Sequence, residues 1–282
     1  MKRLFLTLTL TFAYVSAFAV DVTVNRVNDR RTGGSFSLLD ISMELPKIKS
    51  VDVAASRVLV TAATDETGRD LIDHEMSEPS LETNHRLGNE TAATPVTVSV
   101  RLKNPDRKAS KVSEVRGEIE LFMPSKDPNS VAEVAKFLSF SGKPVTHKAL
   151  KANGIEIAVV SPAQIAAEKK RLGDAKRKEY EGYGYEGENL DNAVSSYLEY
   201  VLRLEPSDVV LRMKDPNNRI QEIVYVDAAG EIKRGSLRDD EGFKILTTWG
   251  EAPQPDWKLR VSMRTPKNLV RHAFALKDVP LP

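Results

Sequence analysis

Polar and apolar residues alternate along much of this chain. Val20, Val22 and Val24 recur at every second position of VDVTVNRV (20–27), and short apolar runs follow in GSFSLLDISMEL (34–45) and KIKSVDVAASRVLVTAAT (47–64). TPVTVSVRL (94–102) and VSEVRGEIELFMP (112–124) continue the texture, bounded by Gly, Pro, Asn and Asp. A period of two buries one face of a strand and wets the other, so these segments predict antiparallel sheets packed face to face. VAEVAKFLSF (131–140) fits a short helix or a strand, and the β-branched GIEIAVVSP (154–162) predicts a strand.

The pattern breaks at SPAQIAAEKKRLGDAKRKEYE (161–181). Ser161 suits the N-cap of a helix, Pro162 its first position, and Gln164 the third, where its side chain completes a capping box. Ile165 and Leu172 leave only a thin apolar stripe on this charged helix. EYEGYGYEGENLDN (179–192) has the glycine content of a loop, and AVSSYLEYVLRL (193–204) fits helix or strand. Short strands then return in DVVLRMKD, IQEIVYVDAAGEI, FKILTTW, WKLRVSMRT and LVRHAFALKDVPL. The expected organisation is mainly β. Two β-sandwich domains, 20–160 and 187–282, are joined by a charged helix and a Gly/Tyr-rich connector over 161–186.

The first residues change the picture of where such a protein works. Lys2 and Arg3, a mainly apolar segment and the small-x-small Ala17-Phe18-Ala19 predict a signal peptide over 1–19, hence a periplasmic or extracellular product. The apolar core is too short and too rich in Thr for a span of about 20 apolar residues, and no later segment suits one, so no transmembrane segment is expected after cleavage. With 41 Lys and Arg against 40 Asp and Glu, the chain offers no net field for nucleic acid. Cysteine is absent, which excludes disulfides, thiol nucleophiles and Cys-bound metals.

Candidate chemistry is sparse. His74, His85, His147 and His272 form no local metal-binding pair, and no serine stands in a nucleophile elbow. No cofactor and no catalytic residue are expected. DETGRDLIDHE (65–75) lacks the spacing of a calcium loop and reads as a turn amid solvated charge. Asp215, Asp239 and Asp240 are weak calcium candidates, should they approach one another at one end of the second domain. Aromatic side chains are the stronger lead. Trp249 and Trp257 bracket the proline-rich GEAPQPD, and Tyr183 and Tyr185 stand among glycines. On exposed loops these rings would stack on sugars or anchor a protein; the alternative for the two Trp residues is an inward, core position.

VTAATDETGRDL (60–71) and IVYVDAAGEIKRG (223–235) each run an apolar strand into an Asp-x-x-Gly turn. A second echo follows each at nearly the same distance, Val98-Ser99-Val100-Arg101 and Val261-Ser262-Met263-Arg264. The echo indicates either a duplicated domain or two sandwiches that share common features. The two strand-to-turn segments, VTAATDETGRDL and IVYVDAAGEIKRG, resemble the generic immunoglobulin-like and fibronectin-like sandwich modules of secreted bacterial proteins, and the resemblance implies a structural or binding role without naming a ligand. The expected function is therefore a non-catalytic exported protein that binds a protein or polysaccharide of the envelope or exterior. A carbohydrate-binding module or weak glycoside hydrolase is one alternative, and an assembly or chaperone-like subunit using a sheet edge is another.

Overall fold

The computed structural model describes residues 21–32, 37–75, 79–83 and 94–282. The expected signal peptide lies outside them. Of the described residues, 45% are in strands and 21% in helices, the strands forming four antiparallel sheets, so the protein is mainly β. In chain order the strands are β1 (Thr23–Arg30), β2 (Leu38–Lys49), β3 (Ala55–Asp65), β4 (Glu82–Thr83), β5 (Pro95–Leu102), β6 (Lys111–Phe122) and β7 (Val131–Ala135). Helix α1 (Lys148–Asn153), β8 (Glu156–Val159), α2 (Pro162–Gly182) and α3 (Gly187–Tyr200) follow. The remaining strands are β9 (Asp208–Lys214), β10 (Ile220–Val226), β11 (Ile232–Lys233), β12 (Gly235–Asp240), β13 (Phe243–Thr248), β14 (Lys258–Met263) and β15 (Leu269–Pro280).

Two compact units divide the chain, one running to Met123 and taking back Leu269–Pro282, the other being Pro124–Asn268. This differs from the partition expected at 20–160 and 187–282. β15 leaves the second half of the sequence to pair with β6, from Leu269 opposite Phe122 to Pro280 opposite Lys111. β7 and β8 leave the first half to pair with β14 and β9. Strand partners so remote in sequence leave no mark on local alternation, which records only that a strand exists and which face is buried.

In the first unit the sheet β1-β2-β5 shares one core with the sheet β15-β6-β3-β4. The period of two is realised directly: Leu39, Ile41, Met43 and Leu45 of β2 and Val96, Val98, Val100 and Leu102 of β5 all point into that core. Val58, Ile119 and Phe274 belong to the same core on the other sheet. On β6, Gly117 lies opposite both Val60 and Phe274, and an added Cβ would collide with the carbonyl oxygen of Leu59. A side chain is excluded there by the close approach of β3.

Asp65 fixes the end of β3. Its Oδ1 accepts the N–H and hydroxyl of Thr67 (2.8 and 2.7 Å) and the N–H of Arg69 (3.1 Å), while Oδ2 accepts the N–H of Asp106 at 2.8 Å. Gly68, at φ +84°, completes the turn by donating to the Asp65 carbonyl. The Asp227 turn repeats this. Gly230 (φ +86°) donates to the Asp227 carbonyl, and the N–H of Glu231 donates to Asp227 Oδ1 at 2.8 Å. The second half of the echo has no such counterpart. Val98 lies opposite Met43 on β5, which ends its sheet among the described residues, whereas Val261 lies on β14 between β10 and β7.

The second unit has three layers. The sheet β11-β10-β14-β7 and helix α1 pack on one face of the sheet β12-β13-β9-β8, around Phe137, Leu150, Leu211, Tyr225, Leu246 and Trp257. On the opposite face Val160, Val210, Phe243 and Ile245 meet Leu172, Val201 and Leu202 of the helical segment. Thus the segment expected as a connector between domains is a layer within one unit. The capping box at Ser161 forms as expected, with Gln164 N–H donating to Ser161 Oγ and Ser161 N–H to Gln164 Oε1. Most of the stretch expected as a loop is helical, since α2 runs to Gly182 and α3 starts at Gly187.

The Asp65 carboxyl makes an acid-sensitive fastening. Burial alone would raise its pKa, but the hydrogen bonds from Asp106, Thr67 and Arg69 outweigh burial and hold it below the usual Asp value. A depressed folded-state pKa stabilises the fold above the unfolded value of about 3.9, and that contribution disappears as pH falls through the folded value. Asp65→Asn should therefore cost about 1.5–3 kcal/mol at neutral pH, because charge-assisted hydrogen bonds are lost. Urea unfolding of both proteins at neutral and acid pH should show this gap narrowing in acid; a gap independent of pH would remove the carboxylate from the account.

Candidate functional site: a tyrosine groove on the helical hairpin

Helices α2 and α3 meet through a narrow apolar contact and an ion pair. Leu172 and Gly173 are the buried residues of α2, and Gly173 admits Leu198 so closely that an added Cβ would stand 3.1 Å from Leu198 Cδ1. Arg177 of α2 bonds Asp191 of α3 at 2.6 Å. A groove of about 560 Å³ is lined by residues of both helices, of their connecting turn and of the β12–β13 turn.

Helical spacing builds one wall. Ala193, Ser196, Tyr197 and Tyr200 stand at i, i+3, i+4 and i+7 of α3 and all line the groove. Tyr180, from the end of α2, packs on Tyr185 at 5.6 Å between ring centroids. Tyr183 and Tyr200 are 70% and 73% exposed and Tyr185 45%, which sets these rings apart from the core aromatics. Lys176 places its ammonium 5.8 Å from the Tyr180 ring and 5.3 Å from the Tyr197 ring while bonding Glu179 at 2.8 Å.

The floor comes from a tight hairpin. Asp240 pairs with Phe243, leaving Glu241 and Gly242 as a two-residue turn with φ of +49° and +80°. Asp240 Oδ2 accepts the N–H of Leu202 at 3.0 Å and an Arg238 N–H at 3.2 Å, tying the chain after α3 to this turn. Tyr197 donates its hydroxyl to Glu241 Oε1 at 3.0 Å. Its pKa is raised by burial and then by that carboxylate, so the phenol stays protonated and serves as the donor.

The structure sorts the residues singled out from sequence. Tyr185 lines the groove, and Tyr183 stands exposed in the same α2–α3 turn. Trp249 is exposed, whereas Trp257 is 4% exposed and meets the Tyr225 ring at 6.1 Å. The two Trp residues therefore do not form one contact surface. Trp257 shares the alternation of Leu259 and Val261, all three buried in the same core, and that register was the available signal for its inward position. Of the calcium candidates, Asp215 Oδ2 accepts the N–H of Ile220 at 2.7 Å, Asp239 pairs with Lys244, and Asp240 is engaged as described. Among the described residues no group of three or more His, Cys, Asp or Glu stands ready to hold a metal ion.

Tyr180, Tyr197, Tyr200 and Glu241 were not singled out from sequence. The spacing of residues 193–200 carried the signal for the α3 pair, but only once that segment is a helix. Glu241 depends on a hairpin remote from α3. A second cleft, about 820 Å³, runs between β3 and β5 in the first unit, where Arg57 and Arg101 mix with Asp73, Glu82 and Glu118. No protein-family model, curated protein or solved structure matches this chain.

Alanine replacements separate the two Trp residues. Trp257→Ala should cost about 3–5 kcal/mol by opening a cavity in the second unit. Trp249→Ala should stay within about 0.5 kcal/mol of the parent. Thermal or denaturant unfolding reads both, and equal losses would contradict the inward and outward placement.

Proposed function

We propose that this is an exported, non-catalytic binding protein of the bacterial envelope or exterior, with the tyrosine groove as its contact surface. One observation carries the proposal: Tyr185 and Tyr200 line a single groove and are turned to solvent. Tyrosine offers a large contact area with few torsions to freeze, so rings held beforehand lose little entropy on binding. Export is supported by the leader sequence of residues 1–19, and among the described residues no helix is long and apolar enough to cross a membrane. The same rings beside Asp240 and Glu241 also suit a sugar, which keeps a carbohydrate-binding role as a second reading.

We further propose that both units are immunoglobulin-like and arose by duplication. Such domains place the first, second and fifth strands in one sheet and the third, sixth and seventh in the other. The first unit has β1-β2-β5 in one sheet and β15-β6-β3 in the other, with β4 beside β3. The second has β8-β9-β13 and β7-β14-β10 in corresponding places, with β12 beyond β13 and β11 beside β10. On this correspondence the matching Asp65 and Asp227 turns both follow the third strand. The last strand of each unit is exchanged: β7 follows β6 in sequence but pairs with β14, and β15 follows β14 but pairs with β6.

Two experiments test these proposals. Protein recovered from the periplasm or medium should begin at Val20, and Tyr185→Ala with Tyr200→Ala should abolish its retention on envelope or polysaccharide extracts at an unchanged Tm. Full retention by the double variant would dismiss the groove as the contact surface. For the architecture, residues 21–123 joined by a short linker to 269–282 should unfold cooperatively, as should residues 124–268 alone. Absence of a cooperative transition in both would show that they are not separate sandwiches.

A further inference from the structure

The charged residues that line the tyrosine groove are both acidic, Asp240 and Glu241, and the turn between its helices is acidic as well. From Glu179 to Asp191 the chain carries Glu179, Glu181, Glu186, Glu188 and Asp191 and neither Lys nor Arg. Lys176 pairs with Glu179 and Arg177 with Asp191. Glu181, Glu186 and Glu188, beside the groove rather than in its lining, have no ion pair among the described residues, and Glu241 in the lining accepts the Tyr197 hydroxyl and faces Arg171. The rings already accept one cation, since the Lys176 ammonium lies within 6 Å of both Tyr180 and Tyr197.

Resting on the binding role proposed above, we infer that the groove takes a Lys- and Arg-rich segment of another polypeptide. Charge complementarity selects that occupant. A guanidinium or ammonium stacks on the face of an exposed tyrosine, and surrounding carboxylates neutralise it without the cost of burying an unpaired acid. An acidic segment would meet like charge, and an apolar one would leave the carboxylates unused. The groove is open, so attraction acts through a solvated field, and binding should weaken as salt rises.

The test uses the mature full-length chain and three probes: a short Lys/Arg peptide, its Glu counterpart of equal length, and a neutral N-acetylglucosamine hexamer. Titration followed by tyrosine fluorescence and calorimetry should show binding of the basic peptide alone. Affinity should fall several-fold between about 20 and about 200 mM salt, a range over which the screening length shortens roughly threefold. Tyr185→Ala should weaken the basic peptide by about tenfold, the scale of one cation–aromatic contact. Glu181→Gln with Glu186→Gln and Glu188→Gln should weaken it and flatten the salt dependence, at an unchanged Tm. Binding of the sugar without the basic peptide would overturn this inference and leave the binding role standing. Equal binding of the basic and acidic peptides would overturn it too. If none of the probes binds and Tyr185→Ala with Tyr200→Ala still leaves retention on the extracts intact, both fall.

Discussion

The inner strands β9 and β13 of the sheet β12-β13-β9-β8 are apolar on both faces, and the layout of the second unit follows from that constraint. Val209, Val210 and Leu211 are consecutive on β9 and all buried. Successive side chains on a strand point to opposite faces, so a run without alternation demands cover on two sides. Val209 and Leu211 meet the sheet carrying Trp257 and Tyr225, while Val210 meets the helical layer. A helix as charged as α2 has little reason of its own to dock, and Leu172 and Gly173 give it a narrow footing. The sheet supplies the remainder of the apolar surface through Val210, Phe243 and Ile245.

That narrow footing has a consequence for chemistry. Two well-buried helices would bring apolar faces together along their length, whereas α2 buries only Leu172 and Gly173 and is tied to α3 nearer their shared turn by the Arg177–Asp191 ion pair. The rings of Tyr180, Tyr185, Tyr197 and Tyr200 line the groove. Polar ties then fix the groove where packing does not: Arg177 to Asp191, Leu202 N–H to Asp240, and the Tyr197 hydroxyl to Glu241. Glu241 holds a left-handed backbone position that Gly or Asn fills more easily. The hydroxyl it receives is the compensating contact visible at that position, so local strain and groove geometry share one residue.

What the sequence disclosed follows the range of the interaction. The capping box of Ser161 and Gln164 spans three residues and was legible, as was the alternation of β2 and β5. The shared hydrogen-bond pattern of the Asp65 and Asp227 turns was legible for the same reason. Strand partnership was not, because β6 recognises β15 through backbone groups common to every residue. Side chains settle which face is buried but not which remote strand lies alongside. The compact units part from the expected domain limits at that point, and residues 161–186 fall inside the second of them. For the candidate site, Tyr183 and Tyr185 stood out by their glycine setting, while Tyr197 and Tyr200 required a helix and Glu241 a remote hairpin.

The two halves of the internal echo show the same division between local and remote information. Asp-x-x-Gly specifies its own geometry: the carboxylate accepts backbone N–H groups within a few residues, and glycine takes the left-handed position. Wherever such a sequence follows a strand, the same turn can form, and it does so after both β3 and β10. Val-Ser-x-Arg specifies only alternation, which any half-buried strand satisfies. Its two copies accordingly stand in different places, β5 at the end of a three-stranded sheet and β14 inside a four-stranded one. A repeated turn therefore records a repeated local sequence, while a repeated alternation leaves the place of its strand in the sheet open.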